Sequence, residues 1–368
     1  MAPAATSDLA VGSAAADKKT FPEPWKLSGA LDKFTVEDTT PVIGREFVNV
    51  NIVDDLLKAP NSDQLLRDVA ITISQRGVVF FRSQDNLTDD LQKQFVDRLG
   101  QVVGKPQSST LHIHPVLNST SEFGVGDNAV SHISSVARKK MFRHQEQPNK
   151  RRYDAAQWHS DIQFEPYPAD YTSLRLTELP ETGGDTLWAS GYEIYDRFSE
   201  KYQQFFEGLT ATFSGDGFRR AAAADPENVK IYTEPRGSPH NVGSDLVAVH
   251  PVVRTNPVTG WKSIFSIGVF PRRINELTQE ESDELLHKFQ RVILDNHDLQ
   301  VRFKWRNPND IAIWDNRSIF HSATNDYDGL GERFGHRTVG IGEKPYLDPN
   351  SRSRTKELEV EGIETEKA

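Results

Sequence analysis

Apolar residues recur at helical spacing in three stretches of the chain. Such spacing is typical of helices that bury one face. It predicts a helix over 62–74, behind a Ser/Asp start, and a second helix over 88–99 that ends at Gly100. A third, longer helix is predicted where Thr278 and Glu281 have the spacing of a capping box and an amphipathic run follows.

Short runs rich in β-branched and aromatic residues fill much of the remaining chain, with Gly and Pro between them. Many short strands separated by turn signals predict a mainly β fold, a sandwich or jelly roll, with flanking helices. No internal repeat interrupts this pattern. The predicted strands cover 77–81, 171–176, 246–254, 263–267, 310–314 and 337–341.

The two ends of the chain differ in composition from its centre. Residues 1–19 are rich in Ala and Ser and carry few large apolar side chains, so a disordered tail is expected. Residues 348–368 are dense in charge, which favours a solvated C-terminal extension. Residues 20–347 are then expected to form a single domain.

Charge and cysteine content exclude several classes of protein. The formal net charge of -10 argues against nucleic acid or an anionic membrane surface as the main partner. The absence of cysteine excludes disulfides, thiolate metal sites and a cysteine nucleophile. No apolar run is long enough to span a bilayer and no signal-like start is present, so a cytoplasmic protein is expected.

A His-x-Asp pair and a distant histidine are the candidate chemistry. His159, Asp161 and His321 could supply two imidazoles and a carboxylate, the facial triad of non-haem Fe(II) oxygenases. In an extended strand His159 and Asp161 would face the same side, and His321 would come from another strand. The alternatives are a surface pair with a core histidine, or Asp315 as the carboxylate ligand. The Trp-Asp-Asn-Arg context of Asp315 favours a structural turn instead.

Further motifs lie in collinear order around these residues. In that order the chain resembles the taurine dioxygenase family of Fe(II)- and 2-oxoglutarate-dependent oxygenases, from about Pro41 to Tyr346. The resemblance implies a distorted double-stranded β-helix (jelly roll, cupin-like) that uses Fe(II), 2-oxoglutarate and O2 and releases succinate and CO2. The motifs are 111–116, 158–161, 178–180, 183–186, 250–254, the 311–317 run before His321, and Arg333 with Arg337 beyond it.

The resemblance also assigns roles to single residues. It makes His159, Asp161 and His321 the metal ligands, and Thr186 and Arg333 the partners of the distal 2-oxoglutarate carboxylate. Arginine suits this task because its planar fork of donors matches a carboxylate.

For the substrate, the resemblance implies a small organic anion held by Arg337 and His114, beside Ile162 and Phe164. A sulfonate hydroxylated next to sulfur would release sulfite and an aldehyde. Leu117 stands where the family has a tyrosine, which removes one hydroxyl donor from this site.

Other interpretations remain open at this point. The same chemistry could act on an amino acid or related carboxylate, by hydroxylation, desaturation or ring closure, and a non-catalytic jelly-roll binding protein is a remote alternative. The basic segment 138–152 is either an active-site lid or a solvated loop. The chain is also compatible with a homo-oligomer.

Overall fold

The computed structural model describes residues 21–116, 118, 127–134 and 157–362. The N-terminal tail, Leu117 and the basic segment 138–152 of the sequence predictions therefore lie outside the described residues. Fifteen strands and seven α-helices are seen in the described part.

The strands form one large and several small sheets. A seven-stranded sheet has the order β1-β2-β3-β13-β5-β15-β4, and two three-stranded sheets have the orders β12-β6-β14 and β11-β7-β8. Strands β9 and β10 form a hairpin. The strands are β1 (Val36–Asp38), β2 (Arg45–Phe47), β3 (Val78–Phe81), β4 (Ser131–Ser134), β5 (Ala169–Glu178), β6 (Thr186–Ser190), β7 (Thr210–Ser214), β8 (Val247–Pro251), β9 (Val253–Thr255), β10 (Lys262–Ile264), β11 (Pro271–Ile274), β12 (Gln300–Phe303), β13 (Asp310–Asp315), β14 (Ile319–Ala323) and β15 (Phe334–Ile341).

The helices begin and end where local chemistry directs. The Thr278 hydroxyl accepts from the Glu281 N–H and the Glu281 carboxylate accepts from the Thr278 N–H, so the predicted capping box is confirmed. The first helix ends at Gly77, whose φ of +76° is readily adopted by glycine and rarely by other residue types. The helices are α1 (Ser62–Arg76), α2 (Asp89–Gln101), α3 (Gly191–Asp196), α4 (Glu200–Glu207), α5 (Asp216–Ala224), α6 (Gln279–Asp295) and α7 (Arg354–Val360), with a π-helix at Ile52–Leu57 and a 3-10 turn at His297–Leu299.

Alternation along the strands divides the core into two layers. In β3, Val79 and Phe81 face the helices α1 and α2, whereas Val78 and Phe80 face the sheet formed by β12, β6 and β14. Strand β13 alternates in the same way. Side chains on a strand point to opposite faces in turn, so β3, which is buried on both faces, is apolar throughout. The predicted jelly-roll architecture with flanking helices is confirmed.

Two segments differ from the sequence predictions. The expected strand over 246–254 is split at Val252 into β8 and β9. The C-terminal extension is not simply solvated, because its described part packs on the domain through α7. There Arg354 pairs with Glu193 at 2.8 Å and Thr355 hydrogen-bonds to Asp196. This helix has no buried residue, so the charged extension is anchored to the domain surface by its polar contacts.

Among the described residues, no helix is both long and apolar enough to cross a membrane.

Candidate metal centre and its surroundings

His159, Asp161 and His321 lie together, as their spacing in the sequence suggested. One nitrogen or oxygen atom of each residue lies within 4.8 Å of the others. The backbones of His159 and His321 exchange two hydrogen bonds, of 3.1 and 2.8 Å, and their rings lie 4.2 Å apart between centroids. Strand β14 therefore carries His321 directly opposite His159, and the two imidazoles share one side.

The His-x-Asp segment is not the regular strand that was expected. His159 forms an isolated bridge with His321, and Asp161 begins a turn over 161–164. Ile162 in this turn has φ of +50°, a left-handed conformation that is rare for a β-branched residue. The reversal of direction directly after Asp161 brings its carboxylate beside the two imidazoles.

Asn316 clamps this turn to the loop before β14. Its side-chain Oδ1 accepts from the Asp161 N–H at 3.0 Å, and its backbone carbonyl accepts from the Ser160 hydroxyl at 2.7 Å. Its Nδ2 donates to Thr172 Oγ1 at 2.7 Å. Asn316 is 1% exposed, so these bonds are shielded from water. It thus joins the two segments that carry the three candidate ligands.

The charges at the three residues fit a divalent metal. Burial lowers the pKa of His321 to about 3, so this imidazole is neutral and one of its ring nitrogens offers a lone pair. Burial alone would raise the pKa of Asp161, but the charge of Arg337, together with His321, His159 and the Thr172 hydroxyl, outweighs burial and the pKa is lowered. Asp161 Oδ2 is buried with no hydrogen-bond partner among the described residues, as expected for an oxygen reserved for a ligand. Two neutral nitrogens and a carboxylate suit Fe(II).

Arg333 lies in a buried pocket with Thr186 and Gly184. Its Nε donates to the Gly184 carbonyl at 2.8 Å and its Nη2 donates to Thr186 Oγ1 at 3.2 Å. Arg333 is 4% exposed. Among the described residues it hydrogen-bonds to a carbonyl and a hydroxyl and to no carboxylate, so its positive charge can bind an anionic ligand. A Cβ on Gly184 would lie 2.9 Å from Arg333 Cδ, which explains a glycine at this point.

Arg337, unlike Arg333, contacts one of the three candidate ligands. Its Nη1 donates to Asp161 Oδ1 at 2.9 Å, while its Nε is buried without a partner among the described residues. The sequence had suggested a substrate role only, and this ion pair was not foreseen. Arg337 therefore orients the carboxylate as well as presenting a donor next to it.

His114 lies near Arg337 in the described structure. Burial first, and then the charge of Arg337, hold the pKa of His114 well below its usual range, so the ring is neutral. Its Nδ1 accepts from the Val116 N–H at 3.1 Å, which leaves Nε2 as the protonated nitrogen. Such a ring can donate one hydrogen bond to an anion.

Three aromatic side chains pack together beside these groups. Phe164 is fully buried and packs edge-on against Phe218 and Phe270, with ring centroids 5.7 and 5.1 Å away. Phe270 also packs against His159 at 6.0 Å. The wall beside the metal site is therefore apolar and aromatic, which suits a C–H bond that must lie there.

The remaining histidines and acids of the region have structural partners. His250 Nε2 lies 3.0 Å from the carbonyls of Gln163 and Glu165, and Glu165 pairs with the buried Arg236. His112 Nε2 lies 3.6 Å from Glu165. Asp315 accepts hydrogen bonds from Arg317, Ser74 and Asn256, which agrees with its structural interpretation.

Sequence reasoning missed two residues near this site. Asn316 was expected only as one residue of the run before His321. No role was predicted for Trp305, which donates to Thr186 Oγ1 at 3.1 Å. Asn316 follows a buried strand and precedes His321, and this position in the run was the available signal for a role near the metal site. Nothing in the sequence pairs Trp305 with Thr186.

The chain matches known proteins along most of its length. The model of the family described as "Taurine catabolism dioxygenase TauD, TfdA family" matches residues 35–339. "Alpha-ketoglutarate-dependent dioxygenase oryG" of Aspergillus oryzae is 49% identical over 344 residues, which cover 93% of this chain and 97% of that protein. "Alpha-ketoglutarate-dependent sulfonate dioxygenase" of Saccharomyces cerevisiae is 30% identical over 322 residues, covering 86% of this chain and 69% of that protein. A solved taurine dioxygenase from Burkholderia xenovorans has a TM-score of 0.62 and 25% identity, covering 87% of this chain and 92% of that one.

Proposed function

The chain belongs to the taurine catabolism dioxygenase TauD, TfdA family, and on that premise we propose that it oxidises a small organic anion held by Arg337 and His114. It is an alpha-ketoglutarate (2-oxoglutarate)-dependent dioxygenase, and the family uses Fe(II) and O2. The observation that carries the proposal is the partly buried Arg337 guanidinium, 2.9 Å from the candidate ligand Asp161. An anion bound to that guanidinium would lie beside the metal.

We assign the metal to His159, Asp161 and His321. When bound, Fe(II) with 2-oxoglutarate and O2 supplies the oxidant that removes a hydrogen atom from a substrate C–H bond. The protein contributes orientation and exclusion of water. Asn316 holds the backbone of Asp161 and Arg337 holds its carboxylate, while the aromatic side chains of Phe164, Phe218 and Phe270 would keep the reacting C–H bond in apolar surroundings.

We assign the distal carboxylate of 2-oxoglutarate to Arg333 and Thr186. The guanidinium has N–H groups beyond those donated to Gly184 and Thr186. A charge-assisted, bidentate contact with a carboxylate is the strongest hydrogen bond that such a group makes. The remote carboxylate thereby supplies binding energy for the keto-acid end to reach the metal.

We place the anionic group of the substrate between Arg337 and His114, with Ile162 and Phe164 beside its carbon chain. A sulfonate is the first choice, supported by the sulfonate dioxygenase similarity at 30% identity. Hydroxylation of the carbon next to sulfur consumes one O2 and one 2-oxoglutarate and forms succinate and CO2. The hydroxylated carbon then expels sulfite, its O–H proton is lost, and an aldehyde remains.

Succinate formation and oxygen uptake with a panel of sulfonates, sulfate esters and amino acids test this function. We expect at least one sulfonate to give succinate and sulfite in equal amounts. Turnover of amino acids alone, without sulfite from any sulfonate, would overturn the sulfonate assignment but keep the enzyme class. No succinate with any member of the panel would contradict the assignment of the substrate class as a small anion.

A second candidate substrate is an amino acid or related carboxylate, and Leu117 favours it. This position lacks the tyrosine hydroxyl expected beside a sulfonate, and the 49% identical relative is named a dioxygenase with no sulfonate in its name. Leu117→Tyr separates the two candidates. If the site is sulfonate-shaped, the variant gains activity toward taurine; if it is not, the preference for the carboxylate substrate is unchanged.

A further inference from the structure

Trp305 forms a hydrogen bond that determines how Thr186 can bind a ligand. Its indole Nε1–H donates to Thr186 Oγ1 at 3.1 Å, and Arg333 Nη2 donates to the same oxygen at 3.2 Å. Trp305, Thr186 and Arg333 are 6%, 3% and 4% exposed. Bulk water therefore competes little for this hydroxyl.

Two N–H donors saturate the accepting capacity of the Thr186 oxygen. A hydroxyl has two lone pairs and one hydrogen, and both lone pairs face donors here. The hydroxyl hydrogen then occupies the remaining direction about the oxygen, so Thr186 can act toward a further group only as a donor. A carboxylate accepts hydrogen bonds and offers none, so it is complementary to this arrangement.

The indole is held in place by packing as well as by its hydrogen bond. The ring of Trp305 lies edge-on to Phe303, with centroids 5.0 Å apart, and Phe303 stacks on Phe80 at 4.1 Å. Phe303 is also the cross-strand neighbour of Thr186 between β12 and β6. The sheet core thus fixes the indole N–H relative to the hydroxyl before any ligand binds.

We infer that Trp305 is a positioning residue for 2-oxoglutarate: its indole N–H holds the Thr186 hydroxyl in a donating orientation toward the distal carboxylate. The inference rests on the proposed roles of Thr186 and Arg333. It assigns to Trp305 an effect on the co-substrate that acts through one oxygen atom. Without the indole, the hydroxyl is able to turn its hydrogen elsewhere and present a lone pair to the carboxylate.

The first experiment is an anaerobic titration of the Fe(II) protein with 2-oxoglutarate, followed by the charge-transfer absorption of the chelate. Trp305→Phe keeps the ring and removes the N–H, and we expect the dissociation constant to rise about tenfold, the effect of one hydrogen bond. The same titration with 2-oxopentanoate, which lacks the distal carboxylate, should show no such change. An equal loss for both keto acids would overturn the inference.

Trp188→Phe is the matched control. Trp188 lies in β6 two residues after Thr186, is fully buried, and its Nε1 has no hydrogen-bond partner among the described residues. Trp188→Phe therefore makes the same chemical change, the loss of an indole N–H, in the strand that carries Thr186. We expect Trp188→Phe to lose at least as much thermal stability as Trp305→Phe. Its dissociation constant for 2-oxoglutarate should equal that of the unmodified protein.

A double-mutant cycle tests whether Trp305 acts through the hydroxyl. In a Thr186→Val background, Trp305→Phe should cause no further rise in the 2-oxoglutarate dissociation constant, because the group it positions is gone. The same tenfold rise in both backgrounds would mean that Trp305 acts through packing, and the inference would be wrong.

If Trp305→Phe does not fold, the indole N–H signals of the intact, metal-free protein provide the test. One tryptophan signal should shift strongly in Thr186→Val and little in Thr186→Ser. The inference would be contradicted if no tryptophan N–H signal changed on loss of the Thr186 hydroxyl. Absence of the chelate absorption in the unmodified protein has a separate meaning, since it would refute the proposed co-substrate site itself.

Discussion

The two arginines of the site, Arg333 and Arg337, are held in different ways. Arg333 contacts a carbonyl and a hydroxyl, whereas Arg337 donates to the ionised Asp161. Arg333 is therefore hydrogen-bonded to no carboxylate among the described residues, whereas Arg337 shares its charge with the proposed metal ligand Asp161. Under the proposed assignments, Arg333 would bind the co-substrate with its whole charge, and Arg337 would couple substrate binding to the metal.

Removal of the Asp161 carboxylate should have the largest effect, because it takes away the group that distinguishes the contacts of Arg337 from those of Arg333. Asp161→Ala leaves two imidazoles and no carboxylate, so we expect loss of tight Fe(II) binding and of substrate-dependent succinate formation in a folded protein. Metal content after dialysis and succinate release measure the two effects. Asp283→Ala, at an exposed position of α6, is the control. Normal turnover by Asp161→Ala would refute the triad assignment.

Arg333→Ala should give the next largest effect. Removing one partner of a partly buried charge-assisted pair costs about 2 to 5 kcal/mol, so the 2-oxoglutarate requirement should rise by roughly two orders of magnitude or more. Arg302→Ala is a matched control. Arg302 pairs with Asp185, the residue before Thr186, but its side chain is 54% exposed, so its loss should have little effect on the 2-oxoglutarate requirement. An unchanged requirement in Arg333→Ala would mean that the arginine roles are misassigned.

Arg337→Ala should affect two ligands at once. We expect a weaker response to substrate with the 2-oxoglutarate chelate largely retained, together with a loss of metal affinity of about 10- to 100-fold, because Asp161 loses the group that orients it. Metal titration and chelate absorption with added substrate separate these effects. If the chelate signal disappears while the substrate response persists, the roles of Arg333 and Arg337 are interchanged.

Asn316→Asp should have the smallest effect. The substitution keeps the oxygen that accepts from Asp161 but turns a second oxygen toward Thr172 and the Asp170 carbonyl, where an N–H2 group had donated. We expect a loss of about 1 to 3 kcal/mol in the free energy of unfolding, measured by urea denaturation, and a smaller loss of metal affinity than in Arg337→Ala. Metal affinity reduced with unchanged stability would contradict a clamp that acts through the fold.

The sequence predicts the parts of this site that depend on local pattern. The grouping of His159 and Asp161 with a histidine carried on a separate strand after 311–314 was predicted and is found, although the segment that carries Asp161 is a turn. The capping box at Thr278 and the helix over 62–74 follow from residue type and period, and the structure has them.

The sequence could not predict features that depend on contacts between distant segments. Trp305 and Thr186 are separated by 119 residues along the chain, and the ion pair of Arg337 with Asp161 by 176. The turn at Asp161 was also missed, because a branched residue such as Ile162 normally favours extended backbone. In each case tertiary packing decides the outcome, and local preference does not.

Ile162 has a consequence for how this protein can evolve. A branched residue at φ of +50° costs the folded state about 1 to 3 kcal/mol relative to a glycine that adopts this conformation without strain. Ile162→Gly would relieve this strain, but it would also remove a side chain that is 4% exposed and belongs to a core cluster with Phe164 and Val339, a loss of about 2 to 5 kcal/mol. The turn and the packed side chain are therefore tied together at this position, and a substitution that eases the backbone loses the packing.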